Sequence, residues 1–210
     1  MHPTCPLCHS HTSPFHNIKN REYFQCSNCQ AILLHPEQYM TTQEEENHYR
    51  FHNNDVTDLG YLNFVSPITN GILHDFTPSH CGLDFGAGTG SAVSKVLQDN
   101  DYSITSYDPF FHPFPDVLTQ QYDFIACCEV VEHFHHPDKE FELLHQLLKP
   151  AGKLYCMTHV YSPEIDFEKW YYKNDTTHVF MYQKETIEWI TKTFGFSNFN
   201  ITNRLIIFTK

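Results

Sequence analysis

Four cysteines set the first chemical constraint. "CPLC" at Cys5–Cys8 and "CSNC" at Cys26–Cys29 form two C-x2-C pairs separated by seventeen residues. Each pair makes a short turn that aims two thiolates at one tetrahedral cation, and this spacing is that of a structural zinc site. A segment of roughly 35 residues cannot build a self-supporting core, so a metal staple is physically needed. Two redox dithiols are the rival reading. It is weaker, because neither pair follows a strand and opens a helix. His9 adjoins the first pair, but Cys5, Cys8, Cys26 and Cys29 already close the shell, which makes the expected zinc structural.

A second constraint is "LDFGAGTG", Leu83–Gly90, with Gly86, Gly88 and Gly90 at alternate positions after an apolar run. Glycines there cost chain entropy, so something approaches the backbone closely. The dinucleotide fingerprint G-x-G-x-x-G is not met, because Ser91 stands where its last glycine would fall. One acid, Asp84, precedes the glycines, and another, Asp108, ends the next strand-like run, "SITSYD". At that place in a doubly wound sheet an acid takes ribose hydroxyls. The pattern points to a nucleoside lying against the backbone without the full pyrophosphate signature. A merely tight turn would not account for both acids.

The elements that must position these residues alternate. Strand-like "CGLDF", "SITSYD", "DFIACC" and "GKLYCMT" are separated by helical stretches, including "SAVSKVLQ" and a helix from about Asp138 to Leu148 opened by Pro137. A further helix, "KETIEWITKTF", is stopped by Gly195, and "FNITNRLIIF" reads as two short strands. Such alternation means a mostly parallel sheet covered on both faces. Between the cysteine pairs and this region lies a polar, acidic stretch. There Thr42 and Glu45 read as a capping box, Glu44–Glu46 as a solvated face, and Ser66-Pro67 as a kink or restart in a second helix. The remaining cysteines, Cys81, Cys127, Cys128 and Cys156, read as buried small hydrophobes.

Composition narrows the partners. The chain of 210 residues is 40% hydrophobic, and its formal net charge of -12 argues against a nucleic-acid backbone as main partner. No run of about 18 apolar residues exists to span a membrane. The start, "MHPTCPLC", has no basic-then-apolar pattern, so no secretory signal is expected and a cytoplasmic setting follows.

Taken in order, "LDFGAGTG", "YDP", "YDFIACCEVVEHFHHP" and "LLKPAGKLY" resemble the motifs of class I S-adenosylmethionine-dependent methyltransferases, over residues 60 to 210. With the cysteine pairs in front and "DTTHVFMY" behind, the chain is similar to bacterial members that carry an N-terminal zinc ribbon. The resemblance implies a Rossmann-like, seven-stranded α/β sheet with its last strand antiparallel. It implies that Asp84, Gly86, Ala87, Gly88 and Gly90 embrace the methionine part of the cofactor. Asp108, followed by Pro109, would bind the ribose, and Cys128 and Glu129 would lie beside the methionine. Only thirteen residues, Pro109 to Gln121, separate the second strand from the fourth, so the third strand is expected to be short or missing. Phe110 and Asp116 are then the candidates for the adenine. The expected organisation is a zinc ribbon over 1–36, a helical linker or lid over 37–79 and the methyltransferase domain over 80–210.

Methyl transfer needs a positioned nucleophile and, for a hydroxyl or amine, removal of its proton. Groups for this should follow strands four and five, at the sheet's carboxyl edge. The first connection offers Glu129, Glu132 and His133, the last two equally able to order the next helix. The second, residues 158 to 182, is rich in aromatics and carries His159 and His178, with Asp175 placed to orient His178 or merely to tie the loop down. His178, or else His159, is the expected proton acceptor, with Glu129 behind them. No further acid cluster is visible, so the catalytic step is expected to need no metal. A small-molecule methyltransferase is the leading expectation. The alternatives are an enzyme acting on protein or RNA through the ribbon, and a non-catalytic cofactor-binding scaffold.

Overall fold

The computed structural model describes residues 2–51 and 55–210. Met1 of the 1–36 segment and residues 52–54 of the 37–79 segment lie outside the described residues. The N-terminal part is an antiparallel meander of β1 (Thr12–Ile18), β2 (Arg21–Cys26) and β3 (Ile32–Leu34). Lys19 and Asn20 link β1 to β2 with positive φ at both residues, 51° and 66°, the geometry of a two-residue hairpin whose twist matches its strands.

Two helices follow. α1 (Thr42–Arg50) is capped by Thr41, whose hydroxyl accepts from Glu44 N while Glu44 accepts from Thr41 N. The capping box is therefore Thr41–Glu44 and not Thr42–Glu45; both adjacent threonines have an acid three residues on, and spacing cannot choose between them. Glu45 is buried instead and accepts from His135 Nε2 at 3.0 Å, so the acidic run is only partly a solvated face. α2 (Leu59–Asp75) runs unbroken through Pro67. Proline cannot donate to the carbonyl four residues back, and the Ser66 hydroxyl donates to that Asn63 carbonyl at 2.8 Å in its place.

The main sheet contains β4 (Cys81–Phe85), β5 (Ser103–Tyr107), β6 (Tyr122–Cys128), β7 (Leu148–Met157), β9 (Asn198–Thr202) and β10 (Leu205–Thr209), in the spatial order β5-β4-β6-β7-β10-β9. The first four are mutually parallel, and β10 runs antiparallel to both β7 and β9. α3 (Ala92–Asp99), α4 (Pro137–Leu147) and α5 (Lys184–Phe194) complete the layers. The third strand of the seven-stranded family pattern, expected to be short or missing, is absent among the described residues: Pro115–Thr119 is a 3-10 turn, and β5 forms the sheet's edge. A strand with its crossover helix needs more chain than this connection supplies.

The strand β8 (Phe180–Met181), from the long connection after β7, pairs with β3 and becomes the fourth strand of the N-terminal sheet. Arg21 reinforces that join. Its guanidinium donates to the carbonyls of Lys173 at 2.6 Å, Asp175 at 3.0 Å and His178 at 3.2 Å. One buried apolar cluster runs from Cys5 and Leu33 through Phe180 and Tyr182 to Phe141 and Phe208, so the ribbon and the main sheet share a core. On the other sheet face, Val65, Ile68 and Ile72 of α2 pack with Phe124 and Tyr155. Cys127 faces Cys156 across β6 and β7, both buried, whereas Cys81 at the start of β4 is exposed, contrary to its reading as a core residue. No described helix is long and apolar enough to cross a membrane.

Candidate active site

A cleft of about 1020 Å³ opens at the carboxyl ends of β4, β5 and β6. One wall is the glycine turn. Gly86 N and Ala87 N donate to the Tyr107 carbonyl at 2.8 and 3.0 Å, and Gly86 and Gly88 take φ of 81° and 60°, a region that costs other residues energy. A Cβ on Gly86 would meet Val130 Cγ2 at 2.4 Å, so this glycine answers first to the protein's own packing. Gly86→Ala should destabilise the fold by about 2–4 kcal/mol, from the left-handed backbone and the clash together. Thermal unfolding checks this, and a variant as stable as the wild type would remove the argument.

Asp108 organises the rim beside that turn. Its Oδ2 accepts from Gly88 N at 2.9 Å and its Oδ1 from Phe110 N and Phe111 N at 2.9 and 3.0 Å. A carboxylate has about four acceptor positions, so one remains for a ligand hydroxyl. Asp84 is buried beneath the turn instead of lining the cleft. It accepts from the Ser94 hydroxyl at 2.7 Å, and burial pushes its carboxyl above the usual range. It thus fixes the start of α3 against the glycine turn.

The opposite wall is assembled from three parts of the chain. α1 and α2 supply Tyr49, Tyr61 and Phe64, and the connection after β7 supplies Tyr171 and Tyr172. Cys128 and Glu129 close the end of β6. Glu129 has φ of 53°, and its carboxylate accepts from Arg204 at 2.6 Å. Burial pushes its pKa up, and the Glu132 carboxylate adds to this against the pull of Arg204. Glu132 is fully buried and also pushed up by burial; the Tyr172 hydroxyl donates to it.

Two histidines face Glu132. His178 Nδ1 lies 2.7 Å from the Tyr172 carbonyl and His133 Nδ1 lies 3.0 Å from the Thr177 carbonyl. A carbonyl can only accept, so both rings carry their proton on Nδ1 and leave Nε2 unprotonated. Burial lowers both pKa values, that of His178 to about 4 with His133 contributing, and both rings are neutral near pH 7. The Tyr172 carbonyl, not Asp175, orients His178; the nearest Asp175 oxygen is 4.0 Å from Nε2 and Asp175 instead accepts from Thr177.

Of the residues singled out in the sequence, Gly86, Ala87, Gly88, Asp108, Pro109, Phe110, Cys128, Glu129 and His178 line this one cleft. Asp84, Gly90, Asp116 and His159 do not. His159 accepts from Trp170 Nε1 at 3.3 Å and packs against Trp170, Tyr171 and Tyr172. Arg204 was not anticipated, whereas Tyr171 and Tyr172 belong to the aromatic connection expected to wall a pocket. Arg204 sits in a turn between two short strands, where sequence shows only a lone charge.

Away from the cleft, the sulfurs of Cys5, Cys8, Cys26 and Cys29 all lie within 4.8 Å of one another, with Cys5–Cys29 at 3.7 Å and Cys8–Cys26 at 3.2 Å. Four sulfurs at about 2.3 Å around a tetrahedral zinc stand about 3.8 Å apart, so the donor set fits that ion.

The profile of a family described as methyltransferase domain matches residues 48–200. The fold resembles that of the Burkholderia thailandensis 1,6-didemethyltoxoflavin-N1-methyltransferase, solved with 1,6-didemethyltoxoflavin and S-adenosylhomocysteine. That match has a TM-score of 0.58 at 14% identity and covers 94% of this chain and 99% of that one. A SAM-dependent methyltransferase from Archaeoglobus fulgidus matches with a TM-score of 0.56 at 14% identity, over 81% of this chain and 100% of that one. An O-methyltransferase family protein from Burkholderia thailandensis gives 0.55 at 10% identity, over 79% and 61%. At these identities the likeness speaks for the fold alone. No curated protein matches the sequence.

Proposed function

The chain belongs to the methyltransferase-domain family, and on that premise we propose that it transfers a methyl group from S-adenosylmethionine to a small molecule held in the aromatic cleft. The observation that carries this is the meeting of the glycine turn, Asp108 and an aromatic wall in one cleft of about 1020 Å³, roomy enough for a cofactor and a second small molecule. The cofactor supplies an activated methyl group. The turn from Gly86 to Gly88 would lie against its methionine part, with Cys128 near by. Asp108, Pro109 and Phe110 would take the ribose and base, Asp108 with its one free acceptor position. Asp84 acts by holding the turn.

The acceptor would lie against Tyr49, Tyr61, Phe64, Tyr171 and Tyr172, with Glu129 and His178 as the polar groups able to take its proton. The Burkholderia protein holds a small molecule together with S-adenosylhomocysteine, which supports the same division here. The ribbon carries a structural zinc at its four thiols. Its sharing of a sheet and a core with the catalytic part favours a bracing role over recognition of a protein or RNA.

Calorimetry with S-adenosylhomocysteine tests the reading. Binding is expected in the micromolar range, and Asp108→Ala should weaken it by about 1.5–3 kcal/mol, the scale of hydrogen bonds to a charged group. Equal binding by both proteins would remove Asp108 from the site, and no binding by the wild type would end the proposal. A screen of small molecules for methyl-dependent release of S-adenosylhomocysteine separates an enzyme from a silent binder.

A further inference from the structure

Glu132, His133 and His178 converge from two separate connections, and each offers a ligand atom within 4.8 Å of the others. We propose that these three side chains form a binding site for a first-row divalent transition cation, distinct from the thiol site. Three observations carry this.

The first is the orientation of the rings. Metal-bound histidines nearly always donate their second nitrogen to a backbone carbonyl or carboxylate, which fixes the tautomer. Here both rings donate Nδ1–H to backbone carbonyls, of Thr177 and Tyr172, and their centroids stand 4.8 Å apart. Two independent carbonyls thus leave two Nε2 lone pairs for a ligand.

The second is Glu132. It is fully buried, and its Oε2 has no hydrogen-bond partner among the described residues. A buried carboxylate oxygen without a partner is costly, and a cation beside it would meet that cost. The other oxygen faces His178 Nε2 at 3.8 Å, too long for a hydrogen bond, and is held in place by the Tyr172 hydroxyl.

The third is access. His133 and His178 both line the cleft, so a cation held there would have its remaining positions open to that space. Two imidazoles, one carboxylate and open positions suit zinc, iron, cobalt or manganese better than calcium or magnesium. Bonds of about 2.1 Å hold neighbouring ligands about 3.0–3.4 Å apart, so the side chains would draw together by as much as about 1.8 Å on binding. A metal-free catalytic step was expected because no further cluster of acids is visible in the sequence; this cluster has one acid and two histidines, one of them some 45 residues away in the chain.

The test is calorimetric titration of Co²⁺ into the full chain with zinc already filling the thiols. One Co²⁺ per chain is expected, with Glu132→Gln and His178→Gln each weakening it at least tenfold. Glu132→Gln keeps the shape of the side chain; should it not fold, His178→Gln carries the comparison. Absence of Co²⁺ binding, or equal binding by the wild type and the folded variants, would overturn the site. S-adenosylhomocysteine titrated into the same samples keeps the two readings apart. Cofactor binding without Co²⁺ binding overturns the cation alone, and Co²⁺ binding without cofactor binding leaves the cation standing while the methyl-transfer reading falls.

Discussion

Cys26→Ser is expected to lose one zinc per chain and to loosen far more than the N-terminal ribbon. A structural zinc contributes apparent folding energies on the order of 10–16 kcal/mol in small zinc-dependent peptides. Only part of that would be lost here, because a protein core of its own size stands behind the ribbon. The consequence lies in where the ribbon is joined. β3 pairs with β8, and Arg21 holds the carbonyls of Lys173, Asp175 and His178. Tyr172 and His178 of that same segment line the cleft. Loss of zinc should therefore free the backbone between 172 and 181 and raise its amide exchange, with a fall in thermal stability. Metal analysis gives the first readout, and hydrogen exchange over that segment the second. Zinc retained at wild-type level in Cys26→Ser, or no zinc at the thiols of the wild type, would refute the assignment. Exchange confined to residues before Leu34 would show the ribbon to be an appendage and not a brace.

That coupling was not legible in the sequence. The cysteine spacing pointed to a staple, and the alternation of strands and helices pointed to a parallel sheet, because both signals are local. The glycine turn with Asp108 was legible for the same reason: its residues sit at the end of adjacent strands. The missing third strand could be read from length alone. What could not be read was the strand Phe180–Met181, two residues long and paired across some 150 residues of chain. The cluster of Glu132, His133 and His178 was hidden in the same way. Each residue was noticed, but only the folding back of the connection onto the end of β6 brings them together. The helices α1 and α2 were legible as a linker or lid, but not the particular residues Tyr49, Tyr61 and Phe64 that line the cleft, since these have the spacing of ordinary amphipathic helices. Asp84 shows the opposite case: its position in a motif suggests ligand contact, and the fold buries it beneath the turn with the Ser94 hydroxyl donating to it.

His178→Ala should cut turnover by about 10²–10⁴ while S-adenosylhomocysteine binds almost as tightly as in the wild type. The separation follows from geometry. In the proposed reading the cofactor's contacts would come from the turn after β4 and from Asp108 after β5, whereas His178 reaches the cleft from the segment before β8 and is oriented by the Tyr172 carbonyl. In the proposed reading the ring, which lines the cleft, either takes a proton itself or holds a cation that helps remove it. Both uses are lost with the imidazole. A structural tie would behave differently. His178 is 7% exposed, and if packing were its only role, alanine would lower the melting temperature and activity would return on cooling. His159→Ala is the control, because His159 does not line the cleft but packs against Trp170, Tyr171 and Tyr172, and its loss should leave turnover within about threefold of wild type, the scale of a modest packing change. The rates are measured with an acceptor from the release screen, at two temperatures, with cofactor affinity determined on the same protein. Near-wild-type turnover in His178→Ala at both temperatures would sink the assignment and leave Glu129, with Arg204 beside it, as the group that moves the proton.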